Sequence, residues 1–257
     1  MKITVLGCGS SGGVPLIGNV WGDCDPQNPL NSRTRASILV EDGEKTILVD
    51  TSPDMRQQLL RYGLTKLDAV LYTHAHADHC HGIDELRSIN WLTNKPIDIY
   101  AGPMTLAELM RRFGYIFHGG PGNADGNFYK PSALAHEISG PFKLGDTLIT
   151  PFLQCHGAIR SLGYRFGDFA YSTDVHDFES EAVDILRGIK TWVLDAVRIQ
   201  PHPTHFNLAQ ALKWIEIIKP ERVFLTHLNH NMDYDKLCSM LPPHVRPAHD
   251  GLVIECT

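Results

Sequence analysis

The run Thr73-His74-Ala75-His76-Ala77-Asp78-His79-Cys80-His81-Gly82 constrains this chain most, because it follows directly on the apolar stretch Asp68 to Tyr72. Val, Leu and Tyr in such a stretch read as a β-strand, so the four donors His74, His76, Asp78 and His79 leave a strand end together. On a turn leaving a strand, His74 and His76 point to one side while Asp78 and His79 turn toward a second position. That predicts two adjacent metals with separate ligand sets.

A sheet delivers side chains to a common rim only where its strands stop, so the remaining ligands are expected at other strand ends. They are there. The apolar run Thr147 to Cys155 stops at His156, Phe169 to Thr173 stops at Asp174, and Arg222 to Thr226 stops at His227. An acid between two metals can bridge them, and Asp174 is the natural candidate. The chain carries 14 His. This placement, more than the count, argues for metal or proton chemistry over scattered surface histidines.

Further strands are predicted at Lys2 to Leu6, Ala36 to Val40, Thr46 to Val49, Ile97 to Ala101, Leu162 to Phe166, Phe169 to Ser172, Thr191 to Leu194 and Leu252 to Glu255. Helical periodicity covers Asp54 to Tyr62, Pro103 to Phe113, Glu179 to Arg187, Leu208 to Ile218 and Tyr234 to Met240, with Asn207 as a cap before Leu208. Strand follows strand early, and helices alternate with strands later. An α/β arrangement of two sheets with helices outside them fits this order.

Several classes are excluded. Lys+Arg 23 against Asp+Glu 29 leaves −6, which provides no whole-molecule field for polyanions. Hydrophobic residues at 43% and charged ones at 20% argue against disorder. No run of apolar residues is long enough to span a membrane, and the six cysteines form no C-x-x-C pair, so a cytoplasmic protein with reduced thiols is expected. Gly7-Cys8-Gly9-Ser10-Ser11-Gly12 matches G-x-G-x-x-G in its letters, but Gly13, Pro15 and Gly18 follow it where a dinucleotide fold needs a helix. We read it as a glycine-lined turn beneath an active site. The Gly- and Asn-rich stretch His118 to Ser132 reads either as a surface connection or as an active-site lid.

With these residues in place, the sequence resembles the metallo-β-lactamase superfamily, whose signature H-x-H-x-D-H-x-x-G is His74, His76, Asp78, His79 and Gly82. The resemblance covers nearly the whole chain, as one domain over residues 1–257. It implies an α/β (α+β) fold, a four-layer αββα sandwich with metals at the rim between the sheets. It further implies that His74, His76, His156 and Asp174 hold one ion, and Asp78, His79, Asp174 and His227 the other. Asp50 matches the superfamily's first acidic position, as a structural residue bonding near the histidine loop. Donors that are all nitrogen or oxygen suit two divalent ions per chain, zinc first, with manganese or iron also allowed.

The opening GCGSSGGVP and the late HPTHFNLAQAL are similar to the branch containing ribonuclease Z and the PhnP-like phosphoribosyl cyclic phosphodiesterases. This implies a binuclear metal-dependent phosphodiesterase acting on a small nucleotide or ribosyl (cyclic) phosphodiester. Asp78 and His205 would be catalytic, a metal-bridging hydroxide the nucleophile, and His205 the general acid for the leaving alkoxide. His202, confined by Pro201 and Pro203, is the rival donor. A helix N-terminus near Leu208 and nearby cations disfavour an imidazolium, so bound phosphate and Asp195 are the candidates to offset them; the alternative role for Asp195 is to bond the backbone alone.

Arg33 and Arg35 either reach phosphate or are solvated, and Trp21 or Tyr129 either stack on a base or simply pack. His81, His118, His136, His176, His244 and His249 are read as ordinary. The relatives' Cys-rich early segment, which with a late His holds an additional structural metal, is reduced here to Asp23 and Cys24, with His230 at the late position; a third tight metal is not expected. The competing readings are a transfer-RNA 3′-processing endonuclease, which would need a protruding basic arm, a thioester or lactone hydrolase, and a non-catalytic nucleotide or cofactor carrier. The expected partner is a small phosphodiester, with no long nucleic acid and no membrane; a homodimer is what the resemblance implies.

Overall fold

Fourteen strands in two seven-stranded sheets form the centre of the structure, a computed structural model that describes residues 1–118 and 131–256. The expected surface connection or lid around Phe128 and Tyr129 lies outside the described residues. The first sheet begins with β1 (Lys2–Gly7), β2 (Ser37–Asp42) and β3 (Lys45–Val49), an antiparallel meander. It continues in parallel through β4 (Ala69–Leu71), β5 (Ile97–Ala101) and β6 (Ala133–Glu137).

The second sheet repeats this plan. Antiparallel β7 (Phe142–Leu144), β8 (Thr147–His156), β9 (Ile159–Phe166) and β10 (Phe169–Ser172) lead into parallel β11 (Thr191–Asp195), β12 (Arg222–Thr226) and β13 (Val245–Pro247). A last strand, β14 (Val253–Glu255), returns to the first sheet beside β1. The parallel crossovers carry helices α1 (Met55–Tyr62), α2 (Ala77–Cys80), α3 (Leu86–Thr93), α4 (Pro103–Arg112) and α5 (Gly114–His118) in the first half. The second half has α6 (Ser180–Leu186), α7 (Leu208–Ile218) and α8 (Tyr234–Met240).

Alternation along the strands produces four layers. Ile3, Val5, Ile38, Val40, Ile47 and Val49 of the first sheet pack against Ile149, Tyr164, Phe166, Phe169, Tyr171 and Val193 of the second. The opposite faces pack on helices: Leu39, Leu48 and Val70 under α1, α3 and α4, and Trp192, Leu194, Val223 and Leu225 under α6, α7 and α8. Central strands buried on both faces therefore read as continuous apolar runs, which makes them legible in the sequence. This is the αββα sandwich.

Three strands that the apolar pattern does not predict, β6, β7 and β13, are all edge strands, which need only one buried face. Helix α3 also escapes the pattern, because Trp91 and Leu92 are exposed and break its apolar stripe. At α7 the expected cap is present as a complete box: Asn207 accepts from Gln210 N, and Gln210 accepts from Asn207 N. No helix among the described residues is long and apolar enough to cross a membrane.

Register puts the site at one rim. Val49 pairs with Leu71 across β3 and β4, so Asp50 and the histidine loop leave the first sheet together. Ser172, Leu194 and Leu225 are level across β10, β11 and β12, so the residues just past them leave the second sheet on one line. Parallel strands present their carboxyl ends to a common edge.

Candidate metal centre

Each candidate ligand occupies the end of an element. His74 and His76 follow β4, Asp78 and His79 lie on α2, and His156 ends β8. Asp174 follows β10, Asp195 ends β11 and His227 follows β12. Asp50, Asp174 and His227 hold left-handed backbone, with φ of 63, 53 and 58°. A non-glycine residue there costs about 1–3 kcal/mol, and such strain persists where the surroundings fix it.

At His227 the fixing is visible. Leu228 N donates to Cys8 O at 2.8 Å and Ser10 N donates to Leu228 O at 3.1 Å, which ties the end of β12 to the glycine turn after β1. A side chain at Gly9 would meet Thr34 O at 2.9 Å, so the turn needs glycine for close approach and no helix follows it.

The seven candidate ligands converge into two groups that share Asp174. In the first, Asp174 Oδ2 lies 3.6 Å from His74 Nε2 and 3.5 Å from His156 Nε2. His76 Nδ1 sits 2.9 Å from His74 Nε2 and 3.3 Å from His156 Nε2. In the second, Asp174 Oδ1 lies 3.0 Å from His79 Nε2 and 3.4 Å from His227 Nε2, with Asp78 Oδ2 at 3.4 and 3.5 Å from the same two nitrogens. One carboxylate thus turns an oxygen to each group.

Ligand atoms about 2.0–2.1 Å from a tetrahedral ion would be about 3.3 Å apart, and these spacings match. His79 Nε2 and His227 Nε2 are buried yet make no hydrogen bond. Nitrogens set 3.0–3.5 Å from carboxylate oxygens without hydrogen-bond geometry fit a cation between them. The residues present therefore suit divalent ions.

The outer contacts orient the rings. Asp50 Oδ2 accepts from His79 Nδ1 at 2.7 Å, while Thr73 donates to Asp50 through N and Oγ1, both at 2.8 Å. His156 Nδ1 contacts Thr204 O at 2.8 Å and His74 Nδ1 contacts Thr73 Oγ1 at 3.0 Å. Such contacts fix tautomer and ring angle. Sequence reasoning missed both threonines. Thr73 could have been found beside His74, but Thr204 contributes only a carbonyl and leaves no side-chain signal.

Burial holds His74, His76 and His156 below the ordinary imidazole range, the neutral form that ligates. His79 goes the other way: burial opposes its charge, but Asp174, Asp78 and Asp50 outweigh it. Burial would raise Asp78 and Asp174, yet the surrounding histidines pull both below the usual carboxylate range. Metal-free, the second group is a protonated imidazole among three carboxylates, a charge arrangement that a cation can replace.

His205 stands beside both groups. Its Nε2 is 3.8 Å from Asp174 Oδ2, its ring stacks on His227 with centroids 4.7 Å apart, and its Nδ1 lies 2.8 Å from Asp195 Oδ2. Burial lowers its proton affinity, but Asp195 more than compensates and the pKa rises to about 9. Of the two groups expected to offset the α7 N-terminus, Asp195 is in place, a buried carboxylate in direct contact with the ring. Asp195 also accepts from Val175 N at 3.0 Å, so both expected roles coexist. His202 packs against His205 at 4.9 Å between centroids, and its Nδ1 accepts from Thr204 N at 3.3 Å.

Arg33 requires another correction. It is neither solvated nor free for phosphate but only 2% exposed, donating to Met232 O at 2.7 Å and Asn31 Oδ1 at 3.2 Å, with Cys24 Sγ 3.8 Å from Nη1. Arg35 pairs with Asp54 at 2.9 Å, and Trp21 Nε1 donates to Asn19 Oδ1 at 2.9 Å. Asp23 accepts from Asn231 Nδ2 at 2.9 Å and its N–H donates to His230 O at 2.9 Å, so this corner is knit by hydrogen bonds.

The family described as "Beta-lactamase superfamily domain" matches residues 45–228. An octanoyltransferase of Porphyromonas gingivalis is 35% identical over 98% of this chain and 51% of its own length, so the chain spans about half of that relative. A ribonuclease Z of Bradyrhizobium diazoefficiens is 36% identical over 36% of the chain and 32% of its own length. The crystal structure of a diphosphatase from the PhnP family superposes with a TM-score of 0.90 at 34% identity, covering 100% of this chain and 98% of that one. With the sandwich, the rim and the signature residues in agreement, the chain belongs to the metallo-β-lactamase superfamily, on the side of the PhnP family and ribonuclease Z.

Proposed function

We propose that this chain is a binuclear metal-dependent phosphodiesterase acting on a small nucleotide or ribosyl (cyclic) phosphodiester. The observation that carries the reading is the buried Asp195–His205 pair at 2.8 Å, set against the shared ligand Asp174. An alkoxide leaves phosphorus poorly unless it is protonated, whereas a thiolate needs no such help. A histidine held protonated at the rim therefore favours esters of alcohols over thioesters.

His74, His76, His156 and Asp174 would hold one ion and Asp78, His79, Asp174 and His227 the other, zinc first and manganese second. Divalent ions bound there would supply Lewis acidity, lowering the pKa of a water and offsetting charge on the nonbridging phosphoryl oxygens. His205 gives its Nε2 proton to the leaving oxygen while Asp195 keeps Nδ1 protonated and the ring in place. Asp78, with 13% of its side chain exposed, is the most open carboxylate of the groups and orients the attacking water by accepting a hydrogen bond from it. The net charge of −6 suits a small substrate over a long nucleic acid, and the six free cysteines suit the cytoplasm.

The diphosphatase name of the 34% identical structure favours a second reading, cleavage of a P–O–P linkage by the same groups. Metal content is measured first, with about two ions per chain expected. Turnover of bis-p-nitrophenyl phosphate, a cyclic ribonucleotide, a dinucleoside diphosphate and an acyl thioester is then compared with and without chelator. Loss of the phosphoester activities on chelation, with weak dependence on salt, supports the reading. One ion with no turnover, or preferential thioester cleavage, overturns it.

A further inference from the structure

The carbonyl of Ala75 lies between the two ligands His74 and His76, and no backbone N–H of α2 donates to it. The first bonds of that single-turn helix start one residue later, with His79 N and Cys80 N both donating to His76 O at 3.1 Å. Instead, Arg112 Nη1 donates to Ala75 O at 2.8 Å. The same nitrogen lies 3.8 Å from Cys80 Sγ, which also donates to Ala75 O, at 3.5 Å.

Arg112 is the last residue of α4, in the outer helical layer. The other side of its guanidinium is held by Glu108 Oε1, 2.6 Å from Nε, and Glu108 is also gripped by Arg111 at 2.7 and 2.8 Å. Carboxylate, guanidinium and carbonyl form a strut running from α4 to the ligand loop. The planar fork lets one side chain make both ends of that strut, which a lysine does less well.

The two ligand groups are braced differently. In the second group His79 is fixed from inside the sheet by Asp50. In the first group the backbone between His74 and His76 is fixed from outside by Arg112. We propose that Arg112 is a positioning residue for the first ion. By setting the Ala75 peptide it keeps the two imidazole nitrogens 2.9 Å apart and facing one point. Without it, the Ala75 carbonyl retains only a thiol donor, and two adjacent ligand backbones lose their common reference.

The test uses the metal-loaded protein and counts ions retained against a competing chelator, a readout independent of any substrate. Arg112→Ala is expected to weaken one of two ions by about 10- to 100-fold, the usual cost of losing a contact that orients a ligand, and to spare the other. Arg112→Lys, which keeps one donor, is expected to recover part of that loss. Asp50→Asn is expected to weaken the opposite ion, so the double variant loses both. Equal weakening of both ions in Arg112→Ala overturns the proposal, as does no weakening, or a lysine variant no better than alanine. A wild-type protein that binds fewer than two ions overturns it together with the functional reading.

Discussion

Replacing Asp195 by Asn keeps the shape and the acceptor for Val175 N but removes the charge that faces His205. His205 is 9% exposed, and its pKa of about 9 against the ordinary 6.5 corresponds to about 300-fold in proton affinity, or about 3 kcal/mol. Burial opposes the charge and Asp174 supports it less than Asp195 does, so in the metal-free Asp195→Asn variant His205 is expected to titrate well below its wild-type value. A raised folded-state pKa adds stability that is complete below the unfolded value and fades as pH rises through the folded one. Metal-free wild type should therefore exceed Asp195→Asn in stability by up to about 3 kcal/mol at pH 6, with the difference shrinking through pH 9. Histidine NMR titration and thermal melts across that range measure both quantities. In the metal-loaded enzyme, esters with alkoxide leaving groups should lose about 10²- to 10⁴-fold in rate, while p-nitrophenyl esters lose far less. An unmoved His205 titration, a pH-independent stability difference or equal losses on both esters would refute the reasoning.

Removing metal with a chelator should lower the melting temperature, since each ion held at about 100 times its dissociation constant contributes about 2.7 kcal/mol; rebinding should release the proton on His79, seen by calorimetry in buffers of different ionisation enthalpy. Asp50→Asn should cost about 10- to 100-fold in affinity at the second group, because it disturbs the 2.7 Å contact that fixes His79; competition titration with a chelator checks it. Trp192→Ala should cost about 3–5 kcal/mol, since Trp192 is fully buried under the helices of the second sheet and its Nε1 donates to Ser172 Oγ at 3.0 Å; denaturant unfolding measures the loss.

Much of the site is legible because the ligating residues are marked by local pattern. His156, Asp174 and His227 each stand just past an apolar run, and such a run announces its own end. The central strands are legible for the same reason, being buried on both faces. Edge strands β6, β7 and β13 are not, since one exposed face dilutes the pattern. Arg33 is misplaced by sequence reasoning because composition cannot reveal that the carbonyl of Met232 and the amide of Asn31 wait for it inside the fold.

By itself the sequence determined the donor types, the strand ends that carry them and the turn chemistry around Gly7 to Gly13, because hydrophobic alternation and residue chemistry act over a few neighbours. Only the tertiary structure decided that one oxygen of Asp174 faces each group, that Asp50, Asp174 and His227 adopt left-handed backbone, and that Asp195 and Arg112 brace the site. Those facts depend on register between strands and on the seating of helices against sheets. Such contacts join residues remote along the chain, and nearest-neighbour patterns carry no record of them.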